Sequence, residues 1–369
     1  MNGSIGVEKH AALKPLHLGS VRLDTPIVQA ALSGYSDGPM RRIARRMGAS
    51  YTLCEVMLDK FLVEASRSRK NRRHLQIADE EHPVGGQLMG ADPELFEPAA
   101  LRLVEVGFDV IDINFGCPVK KVLGRCRGGY HLSQPDVAIE IMQRVRSAVP
   151  AEIPVTVKMR RGIDDTPESH DRFYQILEAA YETGLAAVTV HGRTVTQRYI
   201  GPSKWEFLRE LKEFAGDRIV LGSGDLFDAA SCLRMMDYTG VDGVTVARGA
   251  IGNPWIFGQV AELASGKTPT IPTLHEQRRV IADHFQLAVE LYGPEHGCRM
   301  MRKFGVQFAE LHPDHEAVRD AFVKTKQPSQ WMAALAEWYS EDRPGRVPPI
   351  EEPNPVCDAS LEPTCATVS

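Results

Sequence analysis

The chain is short of the features that would place it quickly. Its seven cysteines in 369 residues form no CxxC pair and follow no regular spacing, so they do not read as a disulfide framework. No stretch approaches the ~18 uninterrupted apolar residues of a membrane span. The opening MNGSIGVEKHAALKPLHLGS lacks the apolar segment of a secretory signal. Cys365 stands one place too far from the end for a prenylation box. There is no H-E-x-x-H and no Cys/His cluster at ligand spacing, so a metal site is not expected. A net charge of −5 gives no global argument for nucleic acid, and any such claim must rest on local clusters. These absences leave a soluble, cytoplasmic protein with reduced thiols and no membrane partner as the expectation.

What is present is a repeated alternation. Apolar strand-like stretches fall at residues 26–31, 50–56, 83–89, 109–114, 153–159, 186–191, 218–225 and 241–250, with helical patterns between them. Asp92 can cap a helix beginning at Pro93, and Gly184 suits the end of another. Strand then helix, eight times over, predicts an α/β fold of the (β/α)8 TIM-barrel kind. A doubly wound open sheet is the rival, but no G-x-G-x-x-G follows the first strand. From about residue 273 the pattern becomes helical only, punctuated by Gly293-Pro294 and His312-Pro313, which predicts a C-terminal helical bundle. The expected divisions are a leader over 1–20, a barrel over 21–268, a helical domain over 269–340 and a disordered tail over 341–369.

Barrel chemistry gathers where strands end. Ser33, Glu55, Gln87, Asn114, Cys117, Lys158, His191, Ser223, Asp225 and Arg248 all fall there and are expected at one mouth. The densest stretch is DVIDINFGCPVKKVLGRCRGG, where Cys117 sits between Gly116 and Pro118 in a loop carrying Lys120, Lys121, Arg125 and Arg127. Cationic neighbours favour thiolate and suit a reactive cysteine. Equally, a free cysteine can simply be a small buried residue capping a strand. Lys158 ends an apolar strand and needs a polar partner, which a ligand or a structural ion pair would satisfy. His191, followed by Gly192 and Arg193, is either a ligand contact or a hydrogen-bonded structural residue. The glycine turns Ser223-Gly224-Asp225 and Ala247-Arg248-Gly249 follow strands seven and eight, where barrels often bind phosphate; singly, each would pass for an ordinary βα connection. Arg248 adds a guanidinium able to meet phosphate oxygens in a fork.

Three basic clusters lie near the expected mouth: Arg41, Arg42, Arg45 and Arg46; Arg67, Arg69, Lys70, Arg72 and Arg73; and the run after Cys117. Such runs are usually solvated faces, yet two of these would surround the site and could track a polyanion. Arg299, Arg302 and Lys303 make a further local patch in the helical region.

These residues, taken in order, resemble the tRNA-dihydrouridine synthase family, in its bacterial, nitrogen-regulation-related branch. INFGCPVKKV, VKMRRGID, TVHGRT, SGD, DYTGVDGVTVARGAIGNPWIF and MRKF carry the likeness, which spans about 26–338. The resemblance implies an FMN-bearing barrel followed by a helical RNA-binding domain, using NADPH to reduce uridines of tRNA to 5,6-dihydrouridine. By position, Cys117 resembles the family's proton donor. Gln87, Lys158 and His191 resemble its flavin contacts, Ala31, Leu32 and Ser33 its first flavin turn, and Ser223, Gly224, Asp225, Ala247 and Arg248 its phosphate-end loops. Asn114 matches a residue near the reacting base, and Lys120, Lys121, Arg193, Arg302 and Lys303 are the RNA-facing candidates. The departures are Ala31-Leu32 where the family usually has Pro-Met, Ser223 where it usually has Asn, Leu123 where Asn is frequent, and GGYHL where a small-residue run usually follows. A monomer is expected. Two other activities fit parts of the pattern: a flavin barrel reducing a small pyrimidine or enone, like dihydroorotate dehydrogenase, and an RNA-binding paralogue without turnover.

Overall fold

A hairpin comes first. The computed structural model describes residues 12–64 and 72–348, and within it β1 (Leu16–Leu18) pairs antiparallel with β2 (Val21–Leu23). Part of the expected leader is therefore sheet, turned at Gly19, whose φ of +56° suits a two-residue hairpin. Arg67, Arg69 and Lys70 lie outside the described residues, as do 1–11 of the leader and 349–369 of the tail.

The barrel follows. Its strands are β3 (Ile27–Gln29), β4 (Tyr51–Leu53), β5 (Met57–Leu58), β6 (Val84–Met89), β7 (Val110–Phe115), β8 (Val155–Arg160), β9 (Ala187–His191), β10 (Val220–Ser223) and β11 (Gly243–Val246). Each pairs in parallel with its neighbour, β11 returns to β3, and β4 also pairs with β6, so eight strands close into a ring. β5 resumes the second barrel strand after a break at 54–56 and adds to the end of β6. The eight stretches read from sequence are these eight positions.

Strand alternation explains two separate apolar clusters. Outward residues such as Ile111, Ile113 and Phe115 join the large core beneath the surrounding helices. Inward residues Val28, Tyr51, Leu53, Val110, Ala187 and Leu221 form a smaller cluster with Leu18 and Leu23 of the hairpin. The hairpin thus closes the N-terminal end of the barrel. Each such fully buried Leu or Val contributes roughly 1.5–3 kcal/mol. Gly85 has to be glycine here, because a Cβ would lie 2.1 Å from the Tyr51 hydroxyl that fills the interior.

Four helices follow the barrel, Leu274–Tyr292, Pro294–Ala309, His315–Lys324 and Pro328–Trp338. The first starts at a capping box of Thr273 and Glu276, worth about 1 kcal/mol. Their core stacks Phe285 on Trp331 at 5.0 Å, with Phe322 at 4.5 Å from the same indole. Residues 341–348, assigned by composition to the tail, instead run along this unit: Arg343 pairs with Asp314 and Arg346 with Glu310.

Candidate active site

The cysteine loop is held by a polar chain inside the barrel. Thr156 Oγ1 donates to Asp112 Oδ1 at 2.6 Å, and Gln87 Nε2 donates to Asp112 Oδ2 at 2.7 Å. Asn114 Nδ2 then donates to Gln87 Oε1 at 2.7 Å. The Asn114 Oδ1 accepts the backbone N–H groups of Gly116 and Cys117, at 3.0 and 3.1 Å. Alternation is the reason these meet: Gln87, Asp112 and Thr156 are register partners on β6, β7 and β8. Burial raises the Asp112 carboxyl above its usual range, against the lowering effect of Thr156 and Gln87. The same Gly116–Cys117 peptide is held at its carbonyl by Arg160, whose Nε donates to the Gly116 oxygen at 3.0 Å. Gly129 N–H donates to the Cys117 carbonyl at 3.0 Å, and a Cβ on Gly128 (φ +57°) would meet the Cys117 Cβ at 2.8 Å. Cys117 itself is half-buried, and Lys120 and Lys121 project exposed just beyond it.

Lys158 is the register partner of Asn114, one strand over. Its ammonium nitrogen is buried and finds no hydrogen-bond partner among the described residues. Burial pulls its pKa down to about 8, against the attraction of Asp112. An unsatisfied buried donor of this kind suits a ligand acceptor. His191, at the end of β9, accepts the Arg193 N–H on Nδ1 at 3.1 Å, which leaves its own proton on Nε2. Burial, then the charges of Arg160, Lys158, Arg193 and Arg248, push its imidazole well below the usual range, so the ring is neutral at pH 7.

The glycine turns after β10 and β11 adjoin these groups. Gly224 has φ +119° and Asp225 φ +58°, and a Cβ on Gly224 would strike Ser203 Oγ at 2.4 Å and approach His191 Cε1 at 3.3 Å. Ser223 is buried. Asp225 Oδ2 accepts the Ser203 N–H at 2.7 Å and Arg193 Nη2 at 2.8 Å. Arg193, placed by sequence at the RNA-facing rim, is 1% exposed and also donates to the Gly201 carbonyl, so its charge is committed to the scaffold. Ala247 precedes a short turn, and exposed Arg248 lies over the rings of Phe227 and Tyr199 at 4.9 and 5.4 Å. Ala31, Leu32 and Ser33 form a half-buried turn after β3.

The basic clusters divide. Arg41 is buried against Glu81 at 2.6 Å, Arg42 and Arg46 both pair with Glu80, and Arg45 donates to the His82 carbonyl. That helix is neutralised by its neighbours and offers little to a polyanion. Arg302 is half-buried on the helix Pro294–Ala309, while the Lys303 ammonium lies over the Tyr35 ring at 4.8 Å and meets the Gly34 carbonyl.

Three residues at the mouth escaped the reading from sequence. Asp112 looks like a strand-interior polar residue, and only register reveals that it organises Gln87 and Thr156. Arg160 sits inside a quoted motif, with no local signal that it reaches back to Gly116. Tyr199 is 40% exposed, with the guanidinium carbons of Arg160 and Arg248 at 5.3 and 5.4 Å from its ring. The half-exposed ring is thus held by two cation–π contacts at the rim.

Comparison with known proteins adds to this geometry. Residues 28–341 match the model described as dihydrouridine synthase (Dus). A probable tRNA-dihydrouridine synthase from Mycobacterium tuberculosis is 34% identical over 333 residues, covering 87% of this chain and 84% of that one. Another, from Rhodobacter capsulatus, is 32% identical over 327 residues, covering 88% and 98%. Among solved structures, a complex of 2-naphthoyl-CoA reductase aligns with a TM-score of 0.55 at 10% identity, over 69% of this chain and 52% of that one, a likeness of fold.

Proposed function

The chain belongs to the dihydrouridine synthase family, and from that membership we propose that it reduces the C5=C6 bond of uridines in tRNA, with FMN in the barrel mouth and NADPH as reductant. The observation that carries the reading is the rim itself, where the anchored Cys117 loop follows β7 and the adjacent strand β8 bears the Lys158 ammonium, which has no hydrogen-bond partner among the described residues. Residues fit a flavin on three counts. Lys158 and the Nε2–H of neutral His191 are donors suited to ring carbonyls and nitrogens. Gln87 keeps one amide hydrogen beyond its two bonds. The turns at Ser223-Gly224-Asp225 and Ala247-Arg248 suit a phosphate, and Ala31, Leu32 and Ser33 suit the ring edge.

Bound and reduced, FMN supplies the hydride that adds to C6 of the uracil ring. This chain's residues do the rest. Negative charge develops over C5, C4 and the C4 oxygen of the base, and C5 then takes a proton. The Cys117 thiol is the general acid, and Asn114 and Arg160 fix its loop through the N–H and the carbonyl of the Gly116–Cys117 peptide. The Arg160 charge, which interacts with Cys117, stabilises the thiolate left behind, and exposed Lys120 and Lys121, with Arg302, draw in the RNA backbone. Asn114 and Tyr199 suit the extruded base, which has to leave its stack to reach the mouth.

The test is direct. Purified protein supplied with FMN and NADPH is expected to add two hydrogens to particular uridines of tRNA, read by mass spectrometry of the digested RNA. Protein that takes up no FMN, or that reduces free uracil at a rate indifferent to RNA, would overturn the reading.

A further inference from the structure

The turn after β3 is held from outside by two charged groups. Within it, the Leu32 carbonyl accepts the N–H groups of Tyr35 and Ser36, at 2.9 and 3.0 Å, and the Leu32 N–H donates to Ser36 Oγ at 2.8 Å. Neither Ala31 nor Leu32 carries a ring that fixes φ, so the turn depends on its neighbours for rigidity. Gly34, with φ +79°, presents both of its peptide groups outward. Glu55, in the break of the second barrel strand, accepts the Gly34 N–H. Lys303, from the helical unit, donates to the Gly34 carbonyl. Its ammonium lies 4.8 Å from the Tyr35 ring and 5.3 Å from that of Phe304, and those two rings meet edge-on at 5.4 Å. Nearby, Tyr292 of the helical unit donates to Asp37 Oδ2 at 2.8 Å, and Asp37 also caps the helix that follows the turn. The two contacts lie 269 and 255 residues apart in the chain.

We propose that Lys303 is a positioning residue for the cofactor rather than an RNA contact: with Glu55 it clamps Gly34 and so fixes the turn of Ala31, Leu32 and Ser33 against which the flavin binds. This rests on the proposed flavin function. The helical unit thereby completes the barrel's cofactor site as well as extending its surface. Burial of the ammonium lowers the Lys303 pKa, while Asp37 and Glu55 favour its charge, which suits a group working inside an interface.

The experiment uses the full chain, stripped of flavin and titrated with FMN by fluorescence quenching, alongside tRNA binding and thermal melting. If wild type binds no FMN, the functional reading itself fails and the clamp falls with it. If wild type binds, Lys303→Met is expected to weaken FMN about tenfold, the loss of one charge-assisted hydrogen bond. Its tRNA affinity should stay within about twofold, and Lys303→Arg should recover most of the loss. Weakened tRNA with intact FMN affinity would overturn the proposal, as would no change in either. If Lys303→Met also lowers the melting point of the flavin-free protein, Glu55→Gln decides, since it loosens the same glycine from within the barrel. Weaker FMN binding in that variant upholds the clamp; unchanged binding overturns it.

Discussion

The two halves of the barrel mouth differ in how completely their polar atoms are matched. On the β6–β7–β8 side, Thr156, Asp112, Gln87, Asn114 and the peptides around Cys117 hand hydrogen bonds along an unbroken line. Beside this line, Lys158 Nζ on β8 and, in the loops after β9 and β10, Arg193 Nη1, Ser203 Oγ and Asp225 Oδ1 are buried without a hydrogen-bond partner among the described residues, Asp225 Oδ1 lying 3.8 Å from Arg248 Nη2. A matched network fixes geometry, whereas unmatched buried atoms are tolerated where a ligand completes them. On the proposed function, the matched line holds the reacting group still and the unmatched atoms beside it serve binding.

The contrast can be broken from either side. Cys117→Ala is the largest cut: dihydrouridine formation should fall by about 10²–10⁴-fold, the range for a lost general acid, with FMN still bound. Loss of flavin in that variant would erase the division of labour. Arg193→Ala removes a buried partner of Asp225, which keeps the Ser203 N–H and Arg248, and is expected to destabilise the fold by about 1–3 kcal/mol, seen in denaturant unfolding. If stability held and only tRNA affinity fell, Arg193 would be a rim residue after all.

Lys158 sharpens the comparison through pH. Its pKa is depressed to about 8, so its ammonium is lost as pH rises through that value. Affinity for FMN should therefore decline above about pH 8, about tenfold at most, and Lys158→Met should be weak at every pH. Stability of the flavin-free protein should move oppositely. The unfolded chain binds the extra proton between about 8 and the ordinary lysine value, so unfolding free energy rises with pH in that window. Pairs of titrations across this range, with and without FMN, check both signs. The smallest effect is expected at Lys120→Ala or Lys121→Ala: a severalfold loss of tRNA affinity and a salt dependence shallower by about one phosphate contact.

Much of this was legible from residues alone because period-two apolar stretches announce barrel strands, and a parallel barrel sends their ends to one face. Cys117, Lys158 and His191 were readable for that reason. The polar chain was not, since Asp112 and Thr156 are 44 residues apart and only strand register joins them. Charge runs were less legible. Arg41 and Lys303 lie in basic runs, and folding supplies Glu81 and the Gly34 carbonyl to them from positions no local pattern connects. Tyr199 was missed because an aromatic in a loop announces nothing until Arg160 and Arg248 flank it.

The filled interior of the barrel, floored by the hairpin of β1 and β2, makes it a well and not a tunnel. With Leu18 and Leu23 sealing its floor, whatever reaches the polar residues near the rim arrives and departs past the same loops. On the proposed function, a bulky RNA and a nicotinamide donor would share one doorway, and traffic through it would have to alternate.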